Sequence, residues 1–242
     1  MNQLSISKKN IPTHERLIVA LDVPAIAEAK LFVEELGESV CFYKIGMELF
    51  MSGNCFDFIE DLKNKQKKIF VDLKFFDVPE TVGRAIKALS SKGVDFATVH
   101  GNDAMLAAAV KEKGSLMVFA VTALTSLDQG DLADLGFKCN VEELVLSRAK
   151  RALSLGCDGV ISSGLEVGKL RSSLDNKLLV ITPGIRPVDN AVKDDQKRVV
   201  SVGEAFKHGA DYIVMGRPIR DAENRREMVD NIQLEIKRIF NI

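Results

Sequence analysis

Residues 69–92 read IFVDLKFFDVPETVGRAIKALSSK, and the order of their patterns decides the fold. The run Ile69 to Leu73 is short and aliphatic, as in a buried strand, and Glu80 to Lys92 takes up helical spacing. A strand followed by a helix, repeated, is the signature of βα units around a parallel sheet. Outward from this unit the same alternation fills the chain. The other strand-like runs are Leu17 to Leu21, Phe42 to Gly46, Phe96 to Val99, Leu116 to Val121, Gly159 to Ser162, Leu178 to Thr182 and Tyr212 to Met215. Helical stretches lie between them at Ala25 to Leu36, Phe56 to Lys65, Ala104 to Lys113, Val141 to Leu155, Val167 to Leu174 and Val202 to His208. Glu227 to Phe240 closes the chain, with Met228, Ile232, Leu234, Ile236 and Ile239 read as its apolar face.

Eight such units without a linker or composition shift predict an α/β protein, one (β/α)8 TIM barrel spanning residues 1–242. Residues 1–15 read as a polar N-terminal extension. Gly184 to Arg198 is a long, charged, irregular segment between the seventh and eighth strands, and reads as a lid loop over a ligand.

Composition narrows the function. Lysine and arginine number 33 against 34 aspartates and glutamates, a net charge of −1, so no global field attracts nucleic acid or an anionic membrane. The longest purely apolar stretch, Ala104 to Val110, is far too short to span a bilayer. The polar N-terminus lacks the apolar core of a secretory signal, which predicts a cytoplasmic protein. Cys41, Cys55, Cys139 and Cys157 form no CxxC pair and read as buried reduced thiols. His14, His100 and His208 are too scattered for a local metal motif, and neither GxGxxG nor GxxxxGK occurs where a nucleotide loop would need it.

In such a barrel the reactive face lies at the strand C-termini. Asp22, Lys44, Asp72, Lys74, His100, Thr122, Thr125, Gly216 and Arg217 all fall at or near those ends. Singly, each fits a solvated strand end or a helix cap, and Asp77 before Pro79 fits a cap as well. Together at one mouth they point to a site. Asp72 and Lys74, two apart on a strand, leave the same face, and Lys44 on the neighbouring strand completes an alternating charge cluster. Such a cluster costs desolvation and is weak evidence for stability, so its presence suggests use. Gly216, Arg217 and Arg186 make an anion-binding group where barrels often hold phosphate.

The segment Ile69 to Thr81, with DLKFFDVPET at its centre, resembles the signature of orotidine 5′-monophosphate decarboxylase of the bacterial type. LIVALDV (17–23), YKIG (43–46), TPGIRP (182–187), DDQKRV (194–199) and YIVMGRPI (212–219) extend the resemblance over nearly the whole chain. Ser201-Val202 departs from it, standing where Thr-Pro is expected to open the seventh helix. The resemblance implies a homodimeric barrel, free of metal and cofactor. The implied lyase converts orotidine monophosphate to uridine monophosphate and carbon dioxide in pyrimidine biosynthesis. It implies that Lys44, Asp72, Lys74 and Asp77 form the catalytic network with Lys74 as proton donor, Asp77 and Thr81 of the partner subunit reaching the site. Asp22 and Lys44 would bind ribose hydroxyls, and Thr125 the pyrimidine. Arg186, Gln196, Gly216 and Arg217, with Pro183 beside them, would serve the phosphate side.

The chemistry agrees with these roles. Loss of carbon dioxide from a vinylic ring carbon leaves an in-plane carbanion that the π system cannot delocalise, so a fixed ammonium beside it is valuable. Two other readings stay open. A Mg²⁺-dependent sugar-phosphate decarboxylase or aldolase carries a similar DxKxxD segment, though with small residues where Val78-Pro79-Glu80-Thr81 stands here. A catalytically silent nucleotide-binding barrel is the other, since fold alone does not exclude it.

Overall fold

The computed structural model describes residues 6–100, 102–174, 176–186 and 199–241. The first half of the chain runs β1 (Leu17–Ala20), α1 (Ile26–Leu36), β2 (Phe42–Gly46), α2 (Met47–Met51), α3 (Cys55–Asn64), β3 (Lys68–Phe75), α4 (Pro79–Ser91), β4 (Phe96–His100) and α5 (Asp103–Glu112). The second half runs β5 (Met117–Val121), α6 (Gln129–Asp134), α7 (Val141–Ser154), β6 (Gly159–Ile161), α8 (Val167–Leu174), β7 (Leu179–Thr182), α9 (Val202–Lys207), β8 (Tyr212–Met215), α10 (Arg217–Arg220) and α11 (Arg225–Ile239). The eight strands pair in parallel and in chain order, and β8 pairs with β1 to close the barrel. This is the expected (β/α)8 architecture.

Strand alternation sorts the core into two layers. One set of side chains faces outward and packs against the helices. The other fills the barrel: Ile18, Phe42, Phe70, Phe96, Phe119, Ile181 and Tyr212 are almost fully buried there. Phe96 sits at their centre, with ring centroids 4.8 Å from Phe42 and 5.3 Å from Tyr212 in edge-on contact. Crowding is severe enough that a Cβ on Gly159 would lie 2.4 Å from Phe119 Cε1 and 2.5 Å from the Leu179 carbonyl oxygen. Two residues beyond the aromatics on three neighbouring strands, the inward positions become Lys44, Asp72 and Thr98. The apolar plug thus forms the floor on which polar groups stand.

Helices α5, α6, α7, α9 and α11 begin at a residue whose side chain accepts a free backbone N–H. Asn140 and Glu143 form a capping box on α7, and Asp128 and Asp131 form one on α6. Ser201, the point of departure from the family pattern, caps α9 reciprocally with Glu204, so that helix start is intact without a proline. Three short helices, α2, α6 and α10, were not legible from periodicity. The apolar face of α11 also differs from the expectation: Val229, Ile232 and Ile236 are buried while Leu234 is exposed, because a step of about 100° per residue carries position 234 off the face. Cys55 and Cys157 are buried free thiols as expected, but Cys41 and Cys139 are partly exposed.

Residues 7 to 16 lie across the barrel floor. The wholly buried Asp211 carboxylate accepts from Lys9 at 2.9 Å, Arg171 at 2.6 Å, the Val180 N–H at 2.8 Å and the Ser7 hydroxyl. Arg16 donates to the Asp211 carbonyl at 3.1 Å and stacks on Phe240. Among the described residues, no helix is long and apolar enough to cross a membrane.

Candidate active site

A cavity of about 300 Å³ opens at the C-terminal ends of the strands. Its floor is apolar, made by Phe70, Val121, Ile161, Ile181 and Val214. Asp22, Lys44, Asp72 and Lys74 form one wall. Gly216, Arg217, Pro183 and Arg186 stand on the β7 and β8 side, and Thr125 with Ser126 enters from the loop after β5. Lys44, Lys74, Arg186 and Arg217 outnumber the two carboxylates, so this mouth attracts anions although the whole chain is near neutral.

The charged wall is a chain of alternating contacts. Lys44 Nζ lies 2.9 Å from Asp22 Oδ1 and 3.8 Å from Asp72 Oδ2, and Lys74 Nζ lies 3.0 Å from Asp72 Oδ1. Burial alone would raise the Asp72 carboxyl, but the charges of Lys44 and Lys74 and hydrogen bonds from Lys74 and Thr98 override it and hold the pKa below the usual carboxylate value. Burial likewise works against the Lys44 ammonium, yet Asp72 and Asp22 raise its pKa. Both groups are therefore charged at neutral pH. A carboxylate shared by two ammoniums keeps its charge without being spent on either.

Lys74 reaches this place by an irregular route. Val71 pairs with Ala97 and Phe75 with Val99, so four residue steps on β3 oppose two on β4. The extra length is absorbed as a bulge, in which Lys74 takes the left-handed conformation at φ +51°. That conformation costs a lysine about 1–2 kcal/mol. Alternation along a regular strand, the basis for placing Asp72 and Lys74 together, is thus broken between them, though both line the cavity. Thr98 stands opposite the bulge: its hydroxyl oxygen accepts the Lys74 N–H at 2.9 Å and its O–H donates to Asp72 Oδ1 at 2.9 Å.

Other expected residues lie elsewhere. Asp77 is exposed, and its carboxylate accepts the N–H of its neighbour Val78 at 2.6 Å. It does not cap α4, whose N-cap is Val78 and whose first residue is Pro79. Thr81 sits in the first turn of α4, its hydroxyl 3.4 Å from Arg84 Nη2. Neither lines the cavity. His100 is half-buried, edge-on to Phe76 with centroids 5.0 Å apart, and Thr122 donates to the Ile161 carbonyl at 2.7 Å. Neither lines the cavity. Gln196 and most of the segment 184–198 lie outside the described residues. The two ends of that segment are joined by a bridge between Ile185 and Val200, where the Arg186 N–H donates to the Val200 carbonyl at 3.0 Å. Among the described residues, no three His, Cys, Asp or Glu side chains are placed to hold a metal ion.

Sequence reasoning missed Thr98 and Ser126. For Thr98 the usable signal was its place two residues beyond Phe96, the same offset that separates Lys44 from Phe42 and Asp72 from Phe70.

The chain is 65% identical over 235 residues to the orotidine 5′-phosphate decarboxylase of Methylococcus capsulatus, covering 97% of each. It is 47% identical to that of Xanthomonas campestris, covering 94% of each. The crystal structure of orotidine 5′-phosphate decarboxylase from Lactobacillus acidophilus superposes with a TM-score of 0.82 at 34% identity, over 94% of this chain and all of that one. Residues 15–232 match the family model described as orotidine 5′-phosphate decarboxylase / HUMPS, and with a relative this similar along its full length the chain belongs to that family.

Proposed function

We propose that the protein is a carboxy-lyase that converts orotidine 5′-monophosphate to uridine 5′-monophosphate and carbon dioxide, the last step of de novo pyrimidine nucleotide synthesis. The observation that carries this reading is the Asp22–Lys44–Asp72–Lys74 chain of contacts along one cavity wall, facing a cationic phosphate side.

A pyrimidine ring lies on the apolar floor with Thr125 at its edge, while Asp22 and Lys44 hold the ribose hydroxyls. Gly216, Arg217, Arg186 and Gln196, with Pro183 beside them, take the phosphate, a dianion suited to guanidinium forks. The substrate carboxylate is then directed toward Asp72 and Lys74. As the carbon–carbon bond breaks, its electron pair stays on the ring carbon and carbon dioxide departs. The Lys74 ammonium stabilises that charge and transfers its proton to the carbon, leaving a neutral amine that is reprotonated from solvent. Asp72 and Lys44 keep Lys74 charged and aimed. The phosphate is remote from the reacting carbon, so its binding energy serves closure of the 184–198 segment and exclusion of water.

The active form in this reading is a homodimer in which Asp77 and Thr81 of the partner subunit complete the site. Their absence from this chain's cavity and their position beside Phe76 and Val78, which are 64% and 63% exposed, support that arrangement. A charged nucleotide does not cross membranes unaided, and we place the enzyme in the cytoplasm with its substrate.

The test is the ultraviolet absorbance of orotidine 5′-monophosphate mixed with purified protein in EDTA, with Lys74→Ala alongside. Conversion by the wild type and its loss in the variant is the expected result. Turnover that needs Mg²⁺ and a sugar phosphate, or nucleotide binding without chemistry, would overturn the proposal.

A further inference from the structure

We infer that Thr98 is a positioning residue whose hydroxyl fixes both the backbone turn at Lys74 and the Asp72 carboxylate, and so aims the Lys74 ammonium into the cavity. Its kinetic consequence rests on the decarboxylase reading; its geometric consequence does not.

Thr98 is wholly buried on β4. A hydroxyl has one proton to donate and lone pairs to accept with, and Thr98 uses both on the reactive wall. The proton goes to Asp72 Oδ1 and the oxygen accepts the Lys74 N–H, each at 2.9 Å. The second bond matters because of the bulge. Regular pairing resumes only at Phe75 and Val99, so the Lys74 N–H faces a side chain where a continuous ladder would present a backbone carbonyl. A buried N–H without a partner is costly, and Thr98 supplies the partner that makes the left-handed turn at Lys74 tenable. The first bond fixes the same carboxylate oxygen that lies 3.0 Å from Lys74 Nζ. One hydroxyl therefore holds the lysine at both ends, through its own backbone and through its counter-ion. Lys44 also faces Asp72, through the other carboxylate oxygen, and has Asp22 as a second partner that Thr98 does not touch. The position thus acts on Lys74 selectively.

The test compares Thr98→Val, which keeps the shape and removes both bonds, with Thr98→Ser, which keeps the hydroxyl. Thr98→Ala replaces the Val variant if that one does not fold. The Val variant is expected to lose about tenfold or more in kcat, the scale of a hydrogen bond to a charged group. Its KM for orotidine 5′-monophosphate and its Kd for uridine 5′-monophosphate are expected to stay within about threefold, because the phosphate and ribose contacts are untouched. The Ser variant is expected to recover most of the lost kcat. The inference is overturned by a Val variant with kcat near the wild-type value, by a Ser variant as impaired as Val, or by nucleotide affinity falling in step with kcat. A wild type without turnover defeats the decarboxylase reading instead, and the crystal structure of Thr98→Val then decides. Lys74 leaving its left-handed conformation and drawing away from Asp72 upholds the positioning role, and an unmoved Lys74 refutes it.

Discussion

Asp72→Asn is the sharpest probe of the charged wall, because it keeps the shape and an acceptor for Thr98 while removing the charge that two lysines share. Lys74 Nζ is 3.0 Å and Lys44 Nζ 3.8 Å from the carboxylate oxygens. At the effective dielectric that suits protein sites, each contact has a nominal Coulomb energy of about 4–6 kcal/mol. Two facts reduce the net. The Lys74 side chain is 37% exposed and partly screened, and Lys44 retains Asp22 at 2.9 Å. What remains is the preference for an ammonium at Lys74 held in one place, for which about 3 kcal/mol is reasonable, or roughly 100-fold in kcat/KM. The assay is initial-rate spectroscopy of orotidine 5′-monophosphate at neutral pH, with thermal unfolding of the same preparations to establish folding. A folded variant within about fivefold of wild-type kcat/KM would refute the claim that Asp72 acts through its charge.

Arg217→Ala, on the phosphate side of the cavity, is expected to lower kcat/KM strongly although it is remote from the reacting carbon; unchanged kcat/KM in steady-state assays would sink the use of phosphate binding for closure. Asp211→Asn on the barrel floor should cost about 3–5 kcal/mol, because Arg171 and Lys9 lose a buried counter-charge, and should lower Tm by roughly 10 °C with kcat unaltered. Calorimetry and the turnover assay together check this, and a Tm shift near zero would contradict it. Because the folded Asp72 pKa is depressed, its ionised form contributes stability above the unfolded carboxylate pKa of about 4, and that contribution is lost as pH falls through the lower folded value. The difference in Tm between wild type and Asp72→Asn should therefore shrink on acidification, and a difference that widens from about pH 5 to pH 2 would reverse the sign of the argument.

The legible features were those encoded locally. The expected strands Phe42 to Gly46 and Tyr212 to Met215 have the boundaries observed, since short runs rich in β-branched and aromatic residues declare a strand without tertiary help. The helices α2, α6 and α10 were missed because five, six and four residues do not complete enough turns to show a repeat. Asp22, Lys44, Asp72 and Lys74 could be grouped from their strand-end positions alone, because a closed barrel brings all such ends to one mouth. Thr98 escaped notice because a threonine in an apolar run reads as an ordinary strand former.

By itself the sequence determined the order and type of the major elements, the closed barrel and the charged residues at its mouth, since each follows from periodicity of about two or 3.6 along the chain. Only tertiary structure decided how those charges meet. The bulge at Lys74 is a mismatch in register between β3 and β4, and register is a relation between strands that neither strand carries alone. The same holds for Asp77 and Thr81, which share a motif with Asp72 yet lie outside this chain's cavity. It holds too for Ser7 and Lys9, polar in sequence and bound across the barrel floor to Asp211, more than two hundred positions away. Local periodicity selects the elements, but long-range contacts choose among the ways of joining them, because their free energy depends on distances in space.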